Sequence, residues 1–507
     1  MVKKRGMEWK FTIEHKSWSI LIFVLLLSMT ATLAYAQIPE LPPIQLPIGN
    51  RQAVWIVMQL HLLFAAFILG APIFVVICEF IGMRTKDMRY DRLAKEVTKV
   101  TAIIYSLTAL MGGFSILVLL GLYPEITTYL IRRFYPVVII IYPFLFVLET
   151  IIMYSYWYTW DIWKEKKGRH LILGILLNLT GLATMFAINA PTSFMNTPPR
   201  PLATATLWQS INNFTWMPLN LHRTVGNITF GGFITGLIAA YLYMASKSEE
   251  DKAFYDWMGF VGNLIGIAAL IPLPLMGYIY GLEFYRYDAS AGLYLMSDRL
   301  SMHWEINGIL TGAIFLAGNY YVWLSMKRIE GAQRFTPYVK IGFIIILICN
   351  AIWMTPRHFW PVMQVPEELV AKLELPPHLG FLALMPSKNT AAFLTVLVTL
   401  INYVLYRKAL KTGTITWGKI DFKSQYVLIF LGFTSIWLMA FMGSVRALVR
   451  KYFHVYLYIK DTTPESYTPT LFYASNMSTL ITWIFFILVS FAIWLALISG
   501  MKGKEAH

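Results

Sequence analysis

Four of the nine histidines lie where an imidazole is costly, inside or at the edge of long apolar runs: His61, His222, His303 and His358. Ionisable groups at membrane depth are rare and usually functional. Three of them have an arginine close by in the chain: His222-Arg223, Arg357-His358, and Arg299 one helical turn before His303. Imidazole binds a metal through a nitrogen lone pair, and guanidinium pairs with carboxylates as a planar fork. Two acids accompany them. Glu79 follows His61 by eighteen residues, five helical turns, so the two share one helix face roughly 27 Å apart. Glu149 stands inside another apolar run. Acids in such places either bond to neighbouring helices or carry protons.

The elements that position these residues are membrane spans. The chain is 57% apolar and 14% charged, which excludes an ordinary soluble domain. Its 17 Trp, 29 Tyr and 33 Phe suit aromatic belts at two interfaces. A basic N-terminus leads into an apolar segment, Trp18 to Ala36, ending in Ala34-Tyr35-Ala36. That ending resembles a signal-peptidase site, but the segment's length favours an uncleaved helix. Ile38 to Ile48 carries four prolines and should lie extended outside. Eleven further spans follow, near 53–83, 100–122, 135–160, 171–190, 218–245, 256–281, 299–325, 338–360, 389–407, 424–447 and 475–499. The fold class expected is an all-α polytopic bundle of about twelve spans.

Alternation from a cytoplasmic start puts 28 Lys+Arg inside and 14 outside or at outer helix ends, a split of all 42. This positive-inside bias places both termini in the cytoplasm, with the chain in the inner membrane of a prokaryote. It also accounts for the net charge of +15 without nucleic acid, because the basic residues sit in short loops. Cys78 and Cys349 lie in apolar spans, form no motif, and read as core thiols. His15, His170 and His507 fall on the cytoplasmic side, and His378 and His454 in outer loops or at their edge.

With this orientation His61 is about 12 Å and His222 about 6 Å below the outer starts of their helices. His303 lies a turn inside its span, and His358 ends a span running outward. All four share one layer under the outer surface. That is what a haem buried edge-on needs: imidazole for the iron, and guanidinium for propionates at the interface. Gly226, Gly231, Gly232 and Gly236 after His222 would give a flat macrocycle room. Snorkelling arginines and helix-packing glycines explain each feature singly, but not the common depth. No HExxH or Cys/His cluster points to a metal without haem.

These residues resemble subunit I of the cytochrome bd quinol oxidase family. His61, Gly70 and Glu79 fall where the family has a haem-ligand histidine, a glycine and an acid. FVLETIIMYSYWYTWDIW supplies Glu149 and Trp160-Asp161, and the next span supplies Asn178, Met195 and Pro198. NLHRTVGNITFGGFI resembles the helix whose histidine binds low-spin haem b, with His222 one residue out of register. The resemblance covers about 53–245. Beyond it the chain departs. Only Gly281 to Asp298 stands where the family has a long quinol-binding loop. Ser301 replaces an expected methionine ligand, beside Met302 and the stronger ligand His303. Ile141 replaces a second acid, and TPRHFW replaces a glutamate haem ligand and its context.

The resemblance implies a membrane electron-transfer subunit with two or more b-type haems. His222 and His303 would hold one; His61, with His358, another; Arg223, Arg299 and Arg357 would meet propionates. The departures fall on oxygen reduction, so a relay between a quinone pool or c-type cytochrome and the haems is expected, with a second membrane subunit. Glu79 and Glu149 would carry protons. A terminal quinol oxidase, a proton-coupled secondary transporter and a structural anchor are the alternatives. The expected organisation is an N-terminal helix and outer segment (1–52), a haem-binding bundle (53–412) and a C-terminal helix pair (413–507).

Overall fold

The proline-rich stretch gives way to helix at Asn50, whose side-chain oxygen accepts a hydrogen bond from the Leu46 N–H at 2.9 Å. A computed structural model of the protein describes residues 46–289, 298–355, 385–450 and 471–505, with isolated positions between. Two units divide the chain, Met1–Ile44 and Gln45–His507. The helix expected at Trp18 to Ala36 lies in the first, outside the described residues.

The second unit runs through α1 (Asn50–Thr85), α2 (Met88–Leu122), α3 (Pro124–Arg133), α4 (Tyr142–Tyr158), α5 (Lys167–Phe194), α6 (Leu207–Ile211) and α7 (Trp216–Ala245). It continues through α8 (Glu249–Leu270), α9 (Leu273–Tyr287), α10 (Asp298–Ser325), α11 (Thr336–Met354), α12 (Pro386–Ala409), α13 (Lys423–Arg450) and α14 (Leu471–Glu505). Among the described residues, eleven helical stretches are long and apolar enough to cross a membrane, and they coincide with the eleven spans expected after residue 52. A π-helical turn, Pro136–Ile141, leads into α4. One stretch, Glu249–Tyr287, is α8 and α9 together. It breaks at Pro272, which lacks the N–H that a continuous helix needs.

α1 and α7 lie at the centre, and glycines let them meet. A Cβ on Gly70 would fall 1.9 Å from the Asn227 carbonyl oxygen, and one on Gly231 would fall 2.9 Å from the Ala71 nitrogen. A Cβ on Gly232 would fall 2.5 Å from the Gly266 nitrogen of α8, and one on Gly262 2.7 Å from the Gly236 nitrogen. Such approach is how small residues join membrane helices. The expectation that Gly226, Gly231, Gly232 and Gly236 make room for a macrocycle is therefore corrected. Three of the four close helix contacts. Only Gly226 keeps ordinary clearance, with Leu273 at 3.8 Å.

Ion pairs show which turns share an end. Arg92–Asp251 (2.6 Å), Lys95–Asp161 (2.7 Å) and Lys167–Asp91 (2.5 Å) join the starts of α2, α5 and α8 with the end of α4. Arg328–Asp256 (3.2 Å) and a bridge between Ile329 and Ile415 add the turns after α10 and α12. These are the basic loops expected inside. At the opposite end Arg133 donates to Ser210, and Arg200 pairs with Asp288 at 3.2 Å. There the charge-poor connection between α5 and α7 folds on itself. Asn213 donates to Ser193 at 2.9 Å and accepts from Thr197 at 3.0 Å, all three side chains buried. Cys78 and Cys349 are buried free thiols, as expected.

Candidate functional site

His61 sits on α1 with Nδ1 3.2 Å from the Thr108 carbonyl oxygen of α2. A carbonyl only accepts, so Nδ1 carries the proton. That tautomer leaves the lone pair on Nε2, the arrangement metal-ligating histidines adopt. Gly112, one turn along α2, braces the ring: a Cβ there would lie 3.0 Å from His61 Cε1.

His222 lies on the second turn of α7 and faces α9. Its ring stacks on Tyr280 at 6.1 Å and 18°. Gly277 leaves the ring space, since even an added Cβ would stay 3.5 Å away. Its Nδ1 is buried with no hydrogen-bond partner among the described residues. His303 on α10 is 4% exposed while its neighbour Met302 is 50% exposed, so the helix turns the histidine inward and the methionine out. The His303 ring lies 6.0 Å from Phe441 of α13. Each of the three therefore meets a different neighbouring helix.

Arg223 donates to Asn189 Oδ1, and Asn189 Nδ2 donates to Asn220 Oδ1 at 2.7 Å. The guanidinium thus also holds α5 to α7. Arg357 and His358 lie outside the described residues, and so does the side chain of Arg299. For His61 and His222 the chemistry suits haem iron: one ring has its proton committed to the backbone, the other has a buried nitrogen without a partner among the described residues.

Glu79 has a set of partners that sequence reading missed. Tyr156 of α4 donates its hydroxyl to Glu79 Oε2 at 2.7 Å. His170 Nδ1 lies 2.5 Å from Glu79 Oε1, and Lys167 Nζ lies 3.6 Å from the same oxygen. His170, expected on the cytoplasmic side, is 0% exposed. The reason is that α5 starts at Lys167, before the apolar pattern does, so His170 is already on its first turn. There it stacks on Tyr156 at 4.4 Å and meets the edge of Trp160 at 4.7 Å. The available signal was the three-residue spacing of Lys167 and His170, which puts both on one helix face. Glu149 of α4 is buried beside Gly181 of α5, its Oε1 3.2 Å from where a Cβ would stand. One helix, α5, lines both acids.

Fold and site thus define a multi-pass helical membrane protein with inward-facing histidines and buried acids. The family model described as "Cytochrome bd terminal oxidase subunit I" matches residues 50–290, the stretch holding His61, Glu79, Glu149 and His222. Over residues 50–290 the chain is cytochrome bd oxidase subunit I-like. That family binds haems, and bd oxidases are membrane complexes with a second subunit. A solved bd oxidase from Geobacillus thermodenitrificans is similar at 15% identity and a TM-score of 0.49, covering 89% of this chain and 98% of that chain. No curated protein matches the chain.

Proposed function

We propose that the chain is a haem-bearing electron-transfer subunit that relays electrons between a quinone pool or a c-type cytochrome and haems near one membrane face. The observation that carries this reading is His61, inside the family-matched stretch with Nδ1 committed to Thr108 and Nε2 left as a ligand. His222 and His303 would hold one low-spin haem, and His61 with His358 a second. Arg223, Arg299 and Arg357 would receive the propionates. Haem supplies one-electron chemistry, and two imidazoles per iron leave no position for oxygen. Glu79 and Glu149 carry protons beside that relay. A second membrane subunit completes the complex.

A reduced-minus-oxidised spectrum with pyridine haemochrome quantitation tests this. We expect b-type haem, with less of it in His61→Ala and His222→Ala. A purified protein without haem overturns the reading and favours a transporter. Unchanged haem loading and electron transfer after His222→Ala and His303→Ala favour a structural anchor. Oxygen reduction is the second reading, because the matched family is described as a terminal oxidase. Repeating the spectrum under carbon monoxide separates the two: a relay stays unshifted, while an oxidase shifts part of its reduced haem.

A further inference from the structure

The contacts around Glu79 fix a proton count. His170 Nε2 lies 2.8 Å from the Tyr156 backbone oxygen. A carbonyl cannot donate, so Nε2 carries a proton whatever the state of the other nitrogen. His170 Nδ1 then faces Glu79 Oε1 at 2.5 Å. Two lone pairs do not sit at that distance, so one proton lies between these atoms, on the carboxyl or on the imidazole. The two side chains are 1% and 0% exposed.

The surroundings balance that one proton. Lys167 of α5 pairs with Asp91 of α2 at 2.5 Å and reaches Glu79 at 3.6 Å. Tyr156 of α4 donates to the other carboxylate oxygen. Cys78 is the neighbouring thiol on α1, facing the core. Counting Lys167 as +1, Asp91 as −1, and Glu79 with His170 and their shared proton as zero, the cluster is neutral. Without that proton it carries −1 in a nearly water-free place, which is costly. Asp91 and Lys167 are 19% and 16% exposed, so they are the members of the cluster that reach water.

We propose that Glu79 and His170 form a single proton-holding site at the end of the bundle that carries the α1–α2 turn, exchanging one proton with water through Asp91 and Lys167. On uptake, a hydronium ion gives its proton to the pair and becomes water, forming the bond between the proton and Oε1 or Nδ1. On release the same bond breaks, the proton returns to water, and Lys167 closes on the bare carboxylate. The proposal deepens the reading of Glu79 as a proton carrier by assigning His170 as the partner with which it shares the proton.

Infrared difference spectra of the purified protein across a pH titration test it directly. Wild type should show carboxyl and imidazole bands that change together, as one titration. Glu79→Gln should lose both. His170→Gln should leave a carboxyl band that titrates alone, at a shifted pH. Lys167→Met should move the midpoint while keeping the coupling. Thermal melting of each variant identifies any that is unfolded, and the remaining variants then decide. Superimposable difference spectra for wild type, Glu79→Gln and His170→Gln overturn the proposal, whether or not melting temperatures fall, since the cluster is then only a clamp. The infrared readout needs no haem. Absent haem with coupled bands therefore sinks the electron-transfer reading alone, and haem with uncoupled bands sinks the shared proton alone.

Discussion

Two buried carboxylates stand at the same end of the bundle, and their partners give them opposite characters. Asp256 of α8 pairs with Arg328 at 3.2 Å, with side-chain exposures of 0% and 1%, and accepts the Gly418 N–H at 2.9 Å. Arg328 also donates to Tyr321 and Ser325 and lies over Trp417 at 4.6 Å. A guanidinium does not deprotonate in proteins, so the cation of this pair is permanent. It ties the turns after α10 and α12 to α8. Glu79 is equally buried, but its nearest partner is an imidazole, whose Nδ1 lies 2.5 Å from the carboxyl oxygen with room for one proton between them. The difference teaches that burial alone does not set an acid's role: the side chain facing it does, and under the proposal above Glu79 is the one of the two that shares a proton.

Substitutions can break this contrast, and the largest effect is expected at the latch. Arg328→Met leaves a buried carboxylate without its charge partner, which costs about 3–5 kcal/mol. A strongly lowered melting temperature of the detergent-purified protein checks this, and an unchanged one would show Asp256 to be no latch at all. Tyr156→Phe removes one hydrogen bond to Glu79 while sparing His170 and Lys167. Its cost should be smaller, about 1.5–3 kcal/mol for a bond to a charged group, and the coupled infrared titration should shift but survive. If Tyr156→Phe melts as far below wild type as Arg328→Met does, the Glu79 cluster is as much a latch as the other.

The smallest effect belongs to a carboxylate at the surface. Asp87 caps α2, accepting from the Arg89 N–H at 3.0 Å. Asp87→Ala should cost about 0.5–2 kcal/mol. Hydrogen bonds from Arg89 hold the Asp87 carboxyl below its ordinary value. Its contribution is therefore fully present above about pH 4 and fades as pH falls through the lowered folded value. Melting curves of wild type and Asp87→Ala should converge in acid. Curves that stay apart would show that the cap acts through the backbone rather than through the carboxylate.

Much of the bundle was legible beforehand because crossing a bilayer demands about twenty apolar residues in a row, and such runs need no knowledge of neighbours. The eleven spans after residue 52 were found that way. On α10 the buried member of the adjacent pair is His303 and the exposed one Met302. The glycines after His222 were not legible in this way. A glycine beside a macrocycle and a glycine against another glycine look alike until the partner is known, and Gly231, Gly232 and Gly236 proved to be packing positions. The burial of His170 was not legible for a related reason: it precedes the apolar run, and the packing of α5 against α1 and α4 removes it from water.

By itself the chain of residues determined a multi-pass helical bundle, the alternation of its basic loops, and the histidines and acids set within apolar spans, because each follows from local composition and a fixed helical rise. Tertiary structure alone decided which acid meets which base. Glu79 and His170 are separated by 91 residues and share a 2.5 Å contact, and whether a buried acid meets a guanidinium or an imidazole is settled only where separate helices bring their side chains together.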